Sequence, residues 1–234
     1  MGNIYEKIYH IFDSTGKITQ IEYALNAVKS CPQLISLCSD DTVVVINKRP
    51  PLPILQEEEI QFVYKITNQI YMAITGLHGD TIKIFKEAIE IATEEEYKLG
   101  CSLPVDIFAR NFADKFQHYI QKSGLRLLAF AAHIFGFVDN KIQLYYTDLS
   151  AVEYECFGCA SGEDDNKMTV FLEKHYKPNL NENELILIGI EALLQSIGKS
   201  AEHTEINVHV FNKNGIRKLD SKEIDKYLQD IAEN

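Results

Sequence analysis

The sequence predicts an α+β fold in which two antiparallel sheets pack face to face and each outer face carries a layer of helices. Three observations lead there. Runs rich in β-branched residues come in pairs joined by short polar turns, the pattern of hairpins and hence of antiparallel sheets. The helical patterns arrive in twos, which suits a helical layer on each outer side of a two-sheet sandwich. Strand and helix blocks do not alternate one for one, so a parallel α/β fold is disfavoured. A chain of 234 residues, 46% hydrophobic and 24% charged, is globular in composition. At this size roughly 70–75% of the unfolded chain's surface can be buried without a disulfide or structural metal.

Taken in order, residues 19–29 read as an amphipathic helix, with Ile21, Leu25 and Val28 at i, i+4 and i+7 and Gly16 breaking the chain just before. Residues 34–38 and 42–46 are β-branched runs around Ser39-Asp40-Asp41, ended by prolines at 50, 51 and 53. Residues 62–66 and 70–75 form a second pair around Thr67-Asn68-Gln69, closing at Gly76. Two helices follow, 80–99 with Ile82, Phe85, Ile89 and Ala92 on one face, and 104–122 with Val105, Phe108, Phe112, Phe116 and Ile120. Gly100 separates them, and Pro104 suits a first helical turn. Strands return at 128–138, turn at Asp139-Asn140, continue at 141–147, and a short run spans 153–157. Helices at 164–174 and 182–198 are split by Pro178. Ile206, Val208 and Val210 alternate, the chain turns at 212–215 and adds 216–219, and a last helix is capped near Asp220 or Ser221 with Ile224, Leu228 and Ile231 inward. No internal repeat or low-complexity stretch appears, so one domain is expected.

The charge balance is acidic, 34 Asp and Glu against 23 Lys and Arg, and the basic residues form no run that would neutralise successive phosphates. Nucleic acid is therefore not expected as a partner. The five cysteines are odd in number and irregularly spaced, and no leader-like start is present, so a reducing intracellular compartment is expected. The longest apolar stretch, 127–135, falls short of the ~20 residues of a spanning helix and is interrupted by His133, so a soluble protein with no membrane partner is expected.

Local motifs advertise no catalysis. Cys156-Phe157-Gly158-Cys159 has the spacing of a redox pair or half a zinc site, but no further cysteine or histidine supplies matching ligands. The two are expected to pack as small apolar side chains. The seven histidines are isolated, and no metal or cofactor is expected. Gly76-Leu77-His78-Gly79-Asp80 resembles an anion cradle but lacks the Lys and Ser/Thr of a phosphate loop; it reads as a strand-to-helix turn with Asp80 as N-cap. The acidic clusters at 57–59 and 94–96 read as solvated surface. No Gly-x-Ser-x-Gly elbow occurs.

One segment is more specific. Tyr5-Glu6-Lys7 and the run from Phe12 through Asp13, Ser14, Thr15, Gly16, Lys17, Ile18, Thr19, Gln20, Ile21, Glu22, Tyr23 and Ala24 resemble the N-terminal signature of the α-type subunits of the 20S proteasome, whose core is kept in Gly16, Gln20, Glu22, Tyr23 and Ala24. Further matches in register are Thr75-Gly76, Leu103-Pro104-Val105, Tyr145 to Asp148, Ala160-Ser161-Gly162 and Phe171-Leu172-Glu173-Lys174. Within the family the chain looks most like the eukaryotic type-6 subunits, counted first in the ring in yeast-style order, through Tyr64-Lys65-Ile66-Thr67 and Pro104-Val105-Asp106.

The resemblance implies a four-layer αββα sandwich, the N-terminal-nucleophile hydrolase fold, as one domain over 1–234: a gate tail and turn over 1–17, a helix over 18–30 that covers the cleft, and a sandwich body over 31–234. It implies a non-catalytic subunit of the outer α ring, because catalytic β-type relatives use a threonine freed by cutting a Gly-Thr bond and this chain has no Gly-Thr dipeptide. The implied partners are neighbouring α-type subunits in a seven-membered ring, β-type subunits, regulatory-particle ATPases or other activators, and unfolded polypeptide in transit. Ubiquitin-dependent and ubiquitin-independent degradation in cytoplasm and nucleus is the implied setting. Tyr5, Glu6, Lys7, Ser14 and Tyr23 match the open-gate cluster, although Ser14 replaces the family proline and Glu6 and Lys7 replace Asp and Arg. With four residues before Tyr5, the tail is expected to be a poor main plug. The activator-pocket lysine of the family falls at Phe62, and Lys65 is its nearest substitute. The alternative is an active hydrolase of the same fold.

Overall fold

The computed structural model describes residues 12–50, 60–121, 125–138, 141–198 and 201–233. Tyr5, Glu6 and Lys7, the prolines at 51 and 53, the acidic cluster 57–59 and the turn Asp139-Asn140 lie outside the described residues. In chain order the elements are α1 (Thr19–Val28), β1 (Leu34–Cys38), β2 (Val43–Lys48), β3 (Val63–Lys65), β4 (Ile70–Gly76), α2 (His78–Leu99) and α3 (Val105–Gln121). They continue with β5 (Phe130–Val138), β6 (Lys141–Asp148), β7 (Glu153–Glu155), β8 (Gly158–Ser161), α4 (Asp165–His175), α5 (Glu182–Ile197), β9 (Ile206–Asn212), β10 (Gly215–Lys218) and α6 (Ser221–Glu233).

The strands form two five-stranded sheets, in the orders β10-β9-β2-β1-β8 and β3-β4-β5-β6-β7. Each pairing is antiparallel, as the hairpin reading required. The core falls into three clusters, one per interface of a four-layer sandwich. On β1 and β2, Ile35, Leu37, Val44 and Ile46 face α4, α5 and α6, whereas Leu34, Val43 and Val45 face the other sheet. On β4, Tyr71 and Ala73 face between the sheets, while Ile70, Met72 and Ile74 face α2 and α3. Period-two side chains buried on both faces explain why these strands read as continuous β-branched runs. At Gly189 of α5 a Cβ would lie 2.4 Å from Ile46 Cδ1, so glycine there lets the helix settle onto β2.

Four expectations change. α2 buries Ile84, Ala88, Ile91 and Ala92, leaving Ile82 and Ile89 39% and 37% exposed. The helix carries two overlapping apolar stripes, and packing rather than periodicity selects between them. The run 153–157 is not one strand: β7 ends at Glu155, and the chain crosses into the other sheet as β8. β5 begins at Phe130 because the Ala129 amide donates to the Asp80 carboxylate at 2.8 Å instead of joining the ladder. Asp80 is not the N-cap of α2; Leu77 holds that position without a side-chain bond, and Asp80 lies in the first turn. At the other end of the chain the expected cap holds: Asp220 Oδ1 accepts from the Glu223 amide at 2.8 Å, and Glu223 Oε2 accepts from the Asp220 amide at 2.9 Å.

The sheets are also joined by a polar bridge. His133 of β5 shares hydrogen bonds of 2.8 Å with Ser36 Oγ of β1 through Nδ1 and with Ser161 Oγ of β8 through Nε2. Burial drives its imidazole from 6.5 to about 3, so it is neutral in the folded chain near neutral pH. The unfolded chain takes up this proton below about pH 6.5 and the folded chain only below about 3, so the contribution is complete above 6.5 and lost on acidification. We expect chemical denaturation to show stability falling by up to about 1.4 kcal/mol per pH unit between those limits from this group alone. In His133→Gln that part of the slope disappears, and neutral-pH stability drops by about 1–3 kcal/mol; an unchanged slope would refute the assignment.

Candidate functional site

The described residues of the N-terminal signature form a turn and a helix, and the segment that follows them forms a seal. In the turn, Asp13 Oδ1 accepts from the Thr15 amide at 2.7 Å, the Thr15 hydroxyl at 2.6 Å and the Lys17 amide at 3.0 Å. The Thr15 hydroxyl, followed by the Lys17 amide, lowers the Asp13 carboxyl below its ordinary value. Gly16 closes the turn at φ +78°, a left-handed conformation suited to glycine, and its amide donates to the Asp13 carbonyl. Ser14 is exposed beside it. The conformation a proline would impose through φ is held here by a side-chain acceptor one residue earlier.

Helix α1 starts behind Ile18 with no side-chain cap and is held by tertiary contact. Ile21, Ala24, Leu25 and Ala27 pack on the cluster under β4 and β5, and Val28 is buried. Gln20 reaches out of the helix, its Nε2 donating to the Leu125 carbonyl at 3.1 Å. Glu22 lies 3.6 Å from Lys17 Nζ in an exposed pair, and Tyr23 is 57% exposed. Thus Ser14, Gly16, Gln20, Glu22, Tyr23 and Ala24 share one unit.

After α1 the chain crosses the end of the sandwich as Cys31-Pro32-Gln33 and is stitched to both sheets. The Pro32 carbonyl accepts from Thr75 Oγ1 of β4 at 2.6 Å, and the Cys31 carbonyl accepts from the Glu163 amide just beyond β8 at 3.0 Å. Gln33 is buried and its Nε2 donates to Ser196 Oγ of α5 at 2.9 Å. At Gly162 a Cβ would stand 2.4 Å from the Pro32 oxygen, so only glycine lets the backbone come this close. β1 therefore begins under a covering segment and not at a chain terminus.

The segment that Gln20 contacts is itself clamped. Asp80 accepts two hydrogen bonds from the Arg126 guanidinium, at 2.6 and 2.7 Å, besides that from Ala129. Burial opposes its charge, but Arg126 and the Ala129 amide outweigh burial and hold the carboxyl below its ordinary value. A carboxylate already occupies the start of α2, so Gly76 to Asp80 is a turn and not an anion cradle.

Lys65 and Phe62 line different depressions. Lys65 is exposed on β3 and borders a cleft of about 680 Å³ together with residues 66–69, Glu96 and 100–102. Phe62 is buried beside a smaller hollow of about 160 Å³ that includes Asn47 and Gln61. Sequence reading missed the Ser36, His133 and Ser161 bridge. Its only signals were a serine and a histidine at inward-facing positions of apolar strands. A serine within reach of an imidazole can be a nucleophile and base, but all three residues are at most 2% exposed and both imidazole nitrogens are committed. Among the described residues no His, Cys, Asp or Glu group is arranged to hold a metal ion, and no helix is long and apolar enough to cross a membrane.

A family model described as proteasome subunit matches residues 34–211. The chain is 30% identical over 230 residues to a proteasome subunit alpha type-7-B of Oryza sativa, covering 97% of this chain and 92% of that protein. It is 28% identical over 232 residues to a proteasome subunit alpha of Methanosarcina acetivorans, covering 98% and 94%. A proteasome subunit alpha of Methanosphaerula palustris is 26% identical over 235 residues, with 98% and 97% covered.

Removing the clamp tests how α1, α2 and the 125–129 segment are held. Asp80→Ala should cost about 1–3 kcal/mol, because the buried Ala129 amide loses its acceptor and Arg126 its partner. Hydrogen exchange should quicken at residues 125–130 while β9 and α5 stay protected. Uniform quickening across the chain would show that the clamp is not local.

Proposed function

Because the chain belongs to the proteasome α-subunit family, we propose that it is a non-catalytic structural subunit of the outer α ring of the 20S core particle. The observation that carries this reading is the covered start of β1. A threonine nucleophile of this fold works from a freed N-terminus, its amine acting as base; here α1 and Cys31-Pro32-Gln33 precede β1 and are tied to both sheets. The buried serine-histidine bridge supplies no alternative, because no reacting atom can reach it.

Ring assembly is supported by α2, whose Ile82 and Ile89 lie one stripe away from its buried face and meet water in the isolated chain. Neighbouring α-type subunits and the β ring are the partners we assign, with unfolded polypeptide as cargo and cytoplasm and nucleus as the setting. The type-6 position in the ring is proposed on the resemblance at 64–67 and 104–106. Axial gating is assigned to the tail through the turn at Gly16, with Ser14 and Tyr23 joining Tyr5, Glu6 and Lys7, and activator docking to the cleft beside Lys65 rather than to Phe62.

Native mass spectrometry of the tagged protein from its own cells, with a fluorogenic peptide assay on the same fraction, tests the main reading. The expected result is a particle of α-type and β-type chains whose activity is abolished by a threonine-directed inhibitor that leaves this chain unmodified. Inhibitor attached to this chain, or recovery as a free monomer or homo-oligomer, would favour the active hydrolase instead. For the docking cleft, Lys65→Ala should weaken activator-stimulated hydrolysis severalfold at unchanged basal rate, and unchanged stimulation removes Lys65 from the proposal.

A further inference from the structure

The chain passes from one sheet to the other between β7 and β8, and three of its five thiols meet at that crossing. The Cys156 amide donates to the Leu144 carbonyl of β6 at 2.9 Å, whereas the next carbonyl, of Phe157, accepts from the Cys38 amide of β1 at 2.8 Å. Beyond it, Cys159 pairs with Ser36 in the other sheet. Cys38 and Cys159 are buried in the layer between the sheets, and Cys156 packs against that layer half-buried, at its rim. Cys156 and Cys159 are three residues apart, flank the bend at Phe157 and belong to the same apolar layer between the sheets. The crossing itself is tightly built. A Cβ on Gly158 would lie 2.7 Å from Leu37 Cδ2. Phe157, 69% exposed, stacks at 6.0 Å on Tyr176, whose hydroxyl donates to the Cys38 carbonyl at 2.8 Å.

We propose that Cys156 and Cys159 form a peroxide-sensitive dithiol, with the half-buried Cys156 as the thiol that meets the oxidant and Cys159 as the one that resolves it. Cys156 thiolate attacks one oxygen of hydrogen peroxide; the O–O bond breaks, hydroxide leaves, and Cys156 becomes a sulfenic acid. The Cys159 sulfur then attacks the sulfenyl sulfur, the S–O bond breaks, water leaves with the Cys159 proton, and the disulfide forms. The hydroxide takes up the proton that the Cys156 thiol lost on becoming a thiolate, so two electrons pass from the pair to peroxide and the net products are one disulfide and two waters. Burial raises the Cys159 thiol well above its ordinary value and Cys38 to about 12, so neither competes for oxidant in solution. The bond closes a ring across the bend at Phe157 and fastens the crossing between the sheets. A redox relay at a strand-to-helix turn is not needed, and neither is a metal.

The full-length protein in its native assembly is exposed to hydrogen peroxide at a dose that oxidises the exposed Cys101, then alkylated, digested and weighed. The expected peptide spanning 156–159 has lost two hydrogens, resists alkylation, and recovers both thiols on reduction. In Cys159→Ser the intermediate is trapped, so Cys156 gains one oxygen or a dimedone adduct, and in Cys156→Ser Cys159 stays reduced. Cys159→Ala serves equally if the serine does not fold, and the wild-type measurement needs neither variant. Both thiols alkylated while Cys101 is oxidised, or a disulfide from Cys156 to Cys38, overturns the proposal.

Discussion

The two sheets are buried on both faces, and most of the structure follows from that constraint. A strand covered on one side by helices and on the other by a second sheet cannot alternate polar with apolar residues, so β1, β2 and β4 are mostly apolar, and a buried polar side chain such as Ser36 calls for a partner inside. His133 meets this requirement by bonding Ser36 and Ser161 across the layer. Such a bridge stabilises little in excess of what burying it costs, but it has only one satisfied geometry, so it sets the position of β5 relative to β1 and β8.

At the end of the sandwich where α1 meets β1 the same requirement falls on backbone groups. The Pro32 carbonyl finds a donor on β4 and the Cys31 carbonyl one just beyond β8 of the other sheet, and Gly162 allows the approach. Gln20 and the pair of Asp80 with Arg126 hold the adjoining 125–129 segment from two directions. The described signature residues thus form a side-chain-bonded turn and a helix held by packing, and the segment after them seals the start of the first strand.

Much of the architecture was legible in the sequence. Hairpins at 34–46 and 62–75, the helix pairs, the buried aromatic stripe of α3 and the cap at Asp220 all depend on contacts a few residues apart. The site was legible chiefly through the resemblance, since Gly16, Gln20 and Ala24 carry no chemistry that composition reveals. The burial face of α2 was misread because Ile82 and Ile89 are as apolar as Ile84 and Ile91, and periodicity weighs both stripes alike.

By itself, then, the sequence determined the type and order of the elements other than β8, and the pairing of the hairpin strands, because those rest on side-chain periodicity and turn chemistry within short spans. Only the tertiary structure decided which stripe of α2 is buried, that 153–161 is divided between two sheets, and that His133 bonds two serines, one 97 and one 28 residues away. Each of those depends on where distant backbone groups leave an acceptor or a donor unfilled, and no local pattern records that.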